Sequence, residues 1–275
     1  MSVQPDTSAS SSSMNAAILG ATGAVGKPLL QVLLESPRYA AVHAFLRRPS
    51  GVQHAKLHEH IVDFDVLLEQ GAEGEEARKF HVGAQDVYIT LGTTRAQAGS
   101  AAAFTKIDRD YVVAGARAAF DASKREQSRV LYCSAQLASS SASFLYPQSK
   151  GETEEALASI GYREAFLCRP GFLANADRGG KKRPIETAYG FFTRHASRFS
   201  DSMEIDTTRL ARAMVLAAER GVAGLKAEGL GGEVHASFKY RNPATLQAED
   251  ASKRDQPVDT IVLDNATLLR MTKSA

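Results

Sequence analysis

Short, nearly continuous apolar runs alternate with longer amphipathic stretches from residue 15 to about residue 170. Apolar runs of strand length are predicted to form strands at 16–20, 42–46, 60–64, 86–91, 129–134 and 164–168. The stretches between them predict helices at 27–35, 65–80, 111–124 and 151–160. Strands that are apolar on both faces are typical of a parallel sheet covered by helices on both sides. The pattern therefore predicts an α/β fold with a doubly wound parallel sheet in the strand order 3-2-1-4-5-6.

The pattern changes after Gly171. Residues 172–206 are interpreted as a small C-terminal substrate or lid region, and residues 228–257, Gly-rich and then polar, as a long surface insertion. Between them, the amphipathic spacing of apolar residues predicts a helix at 207–220 with Thr207 or Thr208 as its N-cap. A strand at 260–263 and a helix at 265–271 are predicted after the insertion. The Ser-rich residues 1–14 are predicted to be disordered, which leaves 15–275 as one domain.

Composition and charge indicate neither a nucleic-acid-binding protein nor a membrane-spanning one. The chain has 275 residues, 44% hydrophobic and 23% charged, with a net charge of +2, so nothing indicates a nucleic-acid partner. No run approaches the ~18 apolar residues that a membrane span needs. The two cysteines, Cys133 and Cys168, are expected to be buried and reduced.

A glycine-rich turn follows the first predicted strand, at the sequence Leu-Gly-Ala-Thr-Gly-Ala-Val-Gly. A strand, a tight turn and a helix N-terminus together bind the pyrophosphate of a dinucleotide, because backbone N–H groups approach it closely. The predicted ligands here are Gly20, Thr22, Gly23, Ala24, Val25 and Gly26. A kinase-type phosphate loop is excluded, since Ala21 stands where its first glycine should be and Pro28 replaces the hydroxyl residue. The fold predicted is therefore an NAD(P)-binding Rossmann fold.

The end of the second strand decides between the two nicotinamide cofactors. It reads Arg47-Arg48 with no carboxylate, and guanidinium groups pair with the 2′-phosphate of NADP(H), although a solvated arginine pair is the alternative. Asp63 is placed to meet the adenine side of the cofactor or to serve as a turn residue. The small residues that follow the fourth strand are predicted to contact the cofactor ribose: Leu91, Gly92 and Thr93.

Tyr146 and Lys150 form a YxxxK motif. On a helix these positions share a face, so the ammonium favours the phenolate and prepares the phenol to exchange a proton with a carbonyl or alcohol oxygen. Ser134, at the end of the fifth strand, is predicted to hydrogen-bond the same oxygen. An ordinary half-buried tyrosine and a solvated lysine are the alternative interpretation. Three histidines, His54, His58 and His60, have no ligand set around them, so no metal site is predicted.

With these motifs in place, the chain resembles an atypical branch of the short-chain dehydrogenase/reductase superfamily. The branch includes the fungal found-in-mitochondrial-proteome proteins and the animal HIV-Tat-interactive oxidoreductase-like proteins. The resemblance is carried by residues 19–26, 91–99, 104–111, 144–151 and 169–171. It implies NADP(H) binding, with Lys150 also contacting the ribose and Pro170 at the cofactor site. It further implies Ser134, Tyr146 and Lys150 in the catalytic positions, a small-molecule carbonyl substrate, and peripheral association with the mitochondrial outer membrane.

Three functional hypotheses follow. The first is an NADP(H)-dependent carbonyl reductase, and the second is an NADPH-binding regulatory or scaffold protein with vestigial catalysis. The third is a membrane-surface module, based on an apolar stripe within 188–199 that is otherwise explained by core packing or a substrate pocket. Localisation rests on the resemblance, with the cytoplasm as the alternative, because residues 1–13 lack the basic residues of a targeting sequence.

Overall fold

The structure, a computed structural model, describes residues 14–174, 204–248 and 258–273. Its centre is a seven-stranded sheet, parallel throughout, in the order β3-β2-β1-β4-β5-β6-β9. The strands are β1 (Met14–Leu19), β2 (Tyr39–Leu46), β3 (Leu57–Ile61), β4 (Asp86–Ile89), β5 (Arg129–Cys133), β6 (Glu164–Arg169) and β9 (Asp259–Asp264). The predicted doubly wound sheet is confirmed, and β9 extends it by one strand beyond β6.

Helices cover both faces of the sheet. They are α1 (Gly26–Glu35), α2 (Phe64–Gln70), α3 (Glu75–Arg78), α4 (Arg95–Ala98), α5 (Ala101–Thr105), α6 (Tyr111–Ala119), α7 (Leu145–Leu157), α8 (Thr207–Ala227) and α9 (Asn265–Met271). A π-helix (Lys106–Asp110) joins α5 to α6, and a 3-10 helix (Ala122–Gln127) precedes β5. A small parallel pair, β7 (Phe172–Ala174) and β8 (Glu204–Asp206), lies beside the main sheet.

Two apolar layers hold the helices on the sheet. One contains Leu29, Leu33 and Met214, so it packs α1 and α8 on one face, and the other contains Leu67, Val112 and Leu157, so it packs α2, α6 and α7 on the opposite face. The strand order reverses between β1 and β4, which lie side by side. Ligands of such sheets bind at the carboxyl ends of the strands beside this reversal. The residues that follow β1, β4, β5 and β6 therefore form the candidate site.

Several predicted boundaries are wrong for local reasons. The third strand lies at Leu57–Ile61 and not at 60–64, because the Asp63 carboxylate accepts the backbone N–H groups of Asp65 and Val66 and starts α2. The single helix predicted at 65–80 is two helices, since Gly71 adopts φ 70° between them.

The remaining differences lie at helix ends. α6 ends at Ala119, earlier than predicted, and α7 starts at Leu145, earlier than predicted, so that Tyr146 lies in its first turn. The N-cap of α8 is Asp206, whose carboxylate accepts from Thr208 and Arg209, and not Thr207 or Thr208. α8 also continues past residue 220, through a non-helical Gly221, to Ala227.

Some sequence predictions fall outside the described residues. These are the disorder of 1–13, the part of the substrate or lid region at 175–203 with its apolar stripe at 188–199, and the insertion at 249–257.

Candidate functional site

The glycine-rich turn after β1 is a cradle that side chains would fill. Gly20 adopts φ 91°, and a Cβ there would lie 2.5 Å from the backbone nitrogen of Leu91. The carbonyl of Gly20 accepts the N–H of Gly23, and a Cβ on Gly26 would lie 1.9 Å from that same carbonyl oxygen. The turn therefore needs glycine at positions 20 and 26, and it places Thr22, Gly23, Ala24 and Val25 immediately before α1.

The loop after β4 closes on this turn from the neighbouring strand. The Thr90 hydroxyl donates to the carbonyl oxygens of Leu19 and Gly20, at 3.3 and 3.2 Å. Leu91, Gly92 and Thr93 follow. A Cβ on Gly92 would lie 3.0 Å from Asp108 Oδ1 and 3.4 Å from Lys150 Nζ, so this glycine lets the loop lie against two charged side chains.

α7 brings Tyr146 and Lys150 to one face, as the YxxxK spacing predicts. Lys150 Nζ lies 5.9 Å from the centre of the Tyr146 ring, and that ring lies 6.2 Å from the ring of the buried Phe104. Tyr146 is half exposed, whereas Lys150 is buried. The Tyr146 phenol is therefore accessible to a substrate, whereas the Lys150 ammonium lies beneath it in the protein interior.

Lys150 has two nearer partners that the sequence did not reveal. Its ammonium donates to the hydroxyl of Tyr132 at 3.0 Å and lies 3.1 Å from Asp108 Oδ1, and both partners are buried. Burial alone would lower the pKa of Lys150, but attraction to Tyr132, Asp108 and Tyr146 raises it well above its usual value. Lys150 is therefore a cation at neutral pH. The π-helix presents Asp108, whose Oδ2 also accepts from Ser149.

Ser134 directly follows β5 and is buried. Its backbone N–H donates to Cys168 on β6, while its hydroxyl oxygen has no hydrogen-bond partner among the described residues. Burial raises the pKa of the Glu154 carboxyl group. Arg169 opposes this rise, and so does the Ser134 hydroxyl, which lies near that carboxyl group.

A buried ion pair underlies the ends of β5 and β6. Arg169 donates to both carboxylate oxygens of Glu154, with distances of 2.9 and 2.5 Å. Glu154 lies one turn after Lys150 on α7, and Arg169 directly precedes Pro170. The pair therefore fixes the face of α7 that carries Lys150 against the strand end at which the resemblance places the cofactor.

The adenosine end of the predicted cofactor site lies where β2 and β3 end. Arg47 and Arg48 are exposed, and neither forms an ion pair with any described residue. Asp63 caps α2 with one carboxylate oxygen. A cavity of about 240 Å³ lies between α1 and the residues after β2. Its lining is Ala21, Thr22, Lys27, Leu30, Gln31, Leu34, Ser50 and Val52.

These features fit a dinucleotide. The turn at Gly20 offers backbone N–H groups to a pyrophosphate. Gly92 leaves room beside Lys150, and the Ser134 hydroxyl has no hydrogen-bond partner among the described residues. A bound nicotinamide cofactor supplies a hydride acceptor or donor. The chain itself supplies a phenol and a buried cation on one face of α7 and a buried hydroxyl at the end of β5, and groups of these kinds can move a proton to or from an oxygen.

Three residues around Lys150 and Ser134 are not among those predicted from the sequence: Asp108, Tyr132 and Glu154. Asp108 lies within residues 104–111, which carry part of the resemblance, but nothing in the spacing relates it to Lys150. Tyr132 stands inside an apolar strand and looks like a core residue. Only Glu154 carried a signal, because it continues the four-residue spacing of Tyr146 and Lys150.

The histidines form a stacked group on β2 and β3. His43 Nδ1 lies 3.0 Å from His60 Nε2, and the rings of His43 and His58 stack with centres 5.0 Å apart. In the part of the chain that the structure describes, no group of three or more histidine, cysteine or carboxylate side chains has the arrangement of a metal site. Burial, with repulsion from His60 and His58, lowers the pKa of His43 from 6.5 to about 4.

This group predicts loss of stability in mild acid. Because the pKa of His43 is lower in the folded state, the unfolded state binds more protons, and stability falls as the pH drops from 6.5 toward about 4. The variant His43→Gln is expected to lose less stability than the wild type over that range, measured by urea unfolding. His54→Gln, at an exposed histidine, serves as the control. Equal losses in all three proteins would contradict the assignment.

Comparisons with known proteins agree with this geometry. A family model described as NAD(P)H-binding matches residues 20–215. The "Protein fmp52, mitochondrial" of Aspergillus fumigatus is 30% identical over 215 residues, covering 76% of this chain and 89% of the relative. The "Protein FMP52, mitochondrial" of Candida albicans is 30% identical over 216 residues, covering 77% and 90%.

A short chain dehydrogenase/reductase from Saccharomyces cerevisiae has the same fold, with a TM-score of 0.52 at 14% identity over 76% of this chain and 91% of that one. No helix among the described residues is long and apolar enough to cross a bilayer. The resemblance predicted from the motifs is confirmed, and with it a Rossmann-type fold that binds NAD(P)H. This chain belongs to the NAD(P)H-binding family that contains the fungal FMP52 proteins.

Proposed function

We propose that this protein is an NADP(H)-dependent reductase of apolar carbonyl compounds. The observation that carries the proposal is the pairing of Tyr146 with the buried cation Lys150 on one face of α7, in a chain where Ser134, at the end of β5, has a buried hydroxyl without a hydrogen-bond partner among the described residues. A buried polar group without a hydrogen bond is costly, and a substrate oxygen would satisfy it.

Each side chain has one task in this proposal. Bound NADPH would supply a hydride to the carbonyl carbon, and the Tyr146 phenol would give its proton to the carbonyl oxygen, which balances to an alcohol and the oxidised cofactor. Ser134 donates a hydrogen bond that orients the oxygen. Lys150, held as a cation by Asp108 and Tyr132, stabilises the phenolate that Tyr146 becomes.

The apolar nature of the substrate is inferred from the rim of the site. Large hydrophobic side chains are exposed around the ends of β5, β6 and α7: Leu137 at 79%, Phe144 at 80%, Tyr146 at 49% and Phe172 at 43%. Exposed apolar side chains that cluster usually mark a binding surface. A homologous series of aldehydes tests the inference: kcat/KM with NADPH is expected to rise from propanal to decanal, and a flat or falling series would contradict it.

Selection of NADP(H) is inferred from the cations at the end of β2. Arg47 and Arg48 are exposed and form no ion pair with described carboxylates, so both are available to a 2′-phosphate. Lys27 adds a third positive charge at the cavity beside Thr22.

A direct titration tests this selection. We expect the protein to bind NADPH more tightly than NADH, followed by nicotinamide fluorescence. Replacing both Arg47 and Arg48 with alanine is expected to raise the NADPH dissociation constant at least about tenfold, because charge-assisted hydrogen bonds contribute roughly 1.5–3 kcal/mol each. The NADH constant should stay unchanged. Arg78→Ala, at an exposed arginine outside the site, is the control. Equal affinity for both cofactors in the wild type would contradict the proposed selection.

One observation favours the second hypothesis, an NADPH-binding scaffold with vestigial catalysis. The Lys150 ammonium contacts Tyr132 and Asp108 more closely than it contacts Tyr146. Tight NADPH binding without turnover of any aldehyde, ketone or quinone would favour this hypothesis over the reductase.

The resemblance also motivates a proposed location, the outer membrane of mitochondria with peripheral attachment. The relatives named above are called mitochondrial. Recovery of the protein from purified mitochondria after alkaline carbonate treatment tests the attachment: release into the supernatant supports it, and absence from mitochondria contradicts it.

A further inference from the structure

Two adjacent rows of residues on α7, each called a stripe here, face different parts of the structure. Tyr146, Lys150 and Glu154 face the candidate site. The next stripe, Pro147, Gly151 and Glu155, faces the loop of residues 134–144 that joins β5 to α7. This loop begins at Ser134, so its position decides where the Ser134 hydroxyl and the apolar rim lie.

The second stripe contacts the loop at three successive turns of α7. The Ser139 N–H donates to the carbonyl of Pro147 at 3.0 Å. One turn later the loop backbone crosses Gly151, where a Cβ would lie 2.2 Å from both Ser139 C and Ser140 N. Another turn later the Ser140 hydroxyl donates to Glu155 at 2.5 Å.

The polar insertion approaches the same glutamate from outside. The backbone N–H of Lys239 donates to Glu155 Oε1 at 2.8 Å, and Arg241 Nε donates to Oε2 at 2.7 Å. The Arg241 N–H also donates to Ser159 Oγ, and its guanidinium donates to the carbonyl of Leu246 at 3.0 Å. Residues 239–241 of the insertion therefore lie against α7, and this part of it is not a free surface loop.

Glu155 depends on this contact. Its side chain is 2% exposed, and its described partners are Ser140, Lys239 and Arg241. Arg241 is the only cation that forms an ion pair with it among the described residues. A buried carboxylate that loses its cation is strongly destabilised. Loss of Arg241 would therefore also disturb the Ser140 hydrogen bond that Glu155 accepts.

We propose that Arg241 is a positioning residue that, through Glu155, holds the β5–α7 loop and with it the Ser134 end of the site. Arg241 lies in the insertion, outside residues 20–215 that the family model matches. This contact therefore comes from a part of the chain that the family model does not include. Its effect on turnover rests on the proposed reductase function, whereas its effect on the loop does not.

Amide hydrogen exchange of the peptide 136–147 tests the proposal. In Arg241→Ala, the amides of Ser139 and Ala142, which donate to Pro147 and Ser139, are expected to exchange at least tenfold faster than in the wild type. Arg241→Lys keeps a cation near Glu155 and is expected to restore part of the protection. Arg220→Ala is the matched control, because it removes an ion pair with Glu228 that does not touch α7.

Unchanged exchange at 136–147 in Arg241→Ala would overturn the proposal, and so would a uniform increase over the whole sheet, since that reports general destabilisation. If Arg241→Ala does not fold, Ser140→Ala decides in the same way, because it removes only the link between the loop and Glu155. NADPH titration of the same proteins separates the two proposals. A wild type that binds no NADPH refutes the reductase, yet the exchange result still decides the role of Arg241.

Discussion

Replacing Tyr146 with phenylalanine is expected to lower the turnover of decanal with NADPH by at least about a hundredfold, the usual scale for loss of a general acid. Among the described residues, the Tyr146 phenol is the only acidic group of the proposed site that is both near Lys150 and exposed to a substrate. The ring itself remains, and its contact with Phe104 remains with it. Cofactor affinity should therefore stay at the wild-type value. Steady-state kinetics and nicotinamide fluorescence measure the two quantities.

Tyr132→Phe makes this test specific, because the Tyr132 hydroxyl accepts a hydrogen bond from Lys150 at 3.0 Å but is fully buried. Its removal is expected to lower turnover less than Tyr146→Phe does, since Asp108 still holds the ammonium. The reverse ranking would show that Tyr146 is not the proton donor. Unchanged turnover in Tyr146→Phe would contradict the role given to it.

The parts of the site that could be predicted from the sequence depend on short-range geometry. Within the turn itself, Gly20 is favoured by its φ of 91° and Gly26 is required by its close approach to the Gly20 carbonyl, so the glycine spacing alone indicates the cradle. Tyr146 and Lys150 share a face because they are one helical turn apart. The apolar strands indicate a parallel sheet because both of their faces are covered.

The parts that could not be predicted depend on contacts between distant segments. Asp108 contacts Lys150 on α7 from within a π-helix, and no residue pattern in 106–110 predicts that helix. Likewise Glu155 looks like a solvated helix charge until Arg241, more than eighty residues later, covers it. Polar composition predicts exposure for the insertion, and a buried ion pair is the exception that composition does not reveal.

The opposite end of the sheet carries a second buried network. Asp86, at the start of β4, is fully buried and accepts from Arg38 Nε at 2.9 Å, from Tyr39 at 2.7 Å and from Arg129 at 3.1 Å. The Tyr39 hydroxyl also lies 2.6 Å from that of Tyr88. Burial and the Asp86 carboxylate raise the pKa of Tyr39, so its phenol is a hydrogen-bond donor at neutral pH.

Replacing Asp86 with alanine is expected to lower the free energy of unfolding by about 3–5 kcal/mol, because two arginines and a tyrosine lose their shared acceptor. Asp259→Ala, which breaks an exposed ion pair with Arg163, should cost no more than about 1 kcal/mol. Urea unfolding measures both. Asp86 lies at the amino-terminal end of β4, whereas the cradle lies at the carboxyl ends of the strands, so folded Asp86→Ala protein should keep wild-type affinity for NADPH. A cost equal to that of Asp259→Ala would mean that the network is solvated in the native protein and stabilises it little.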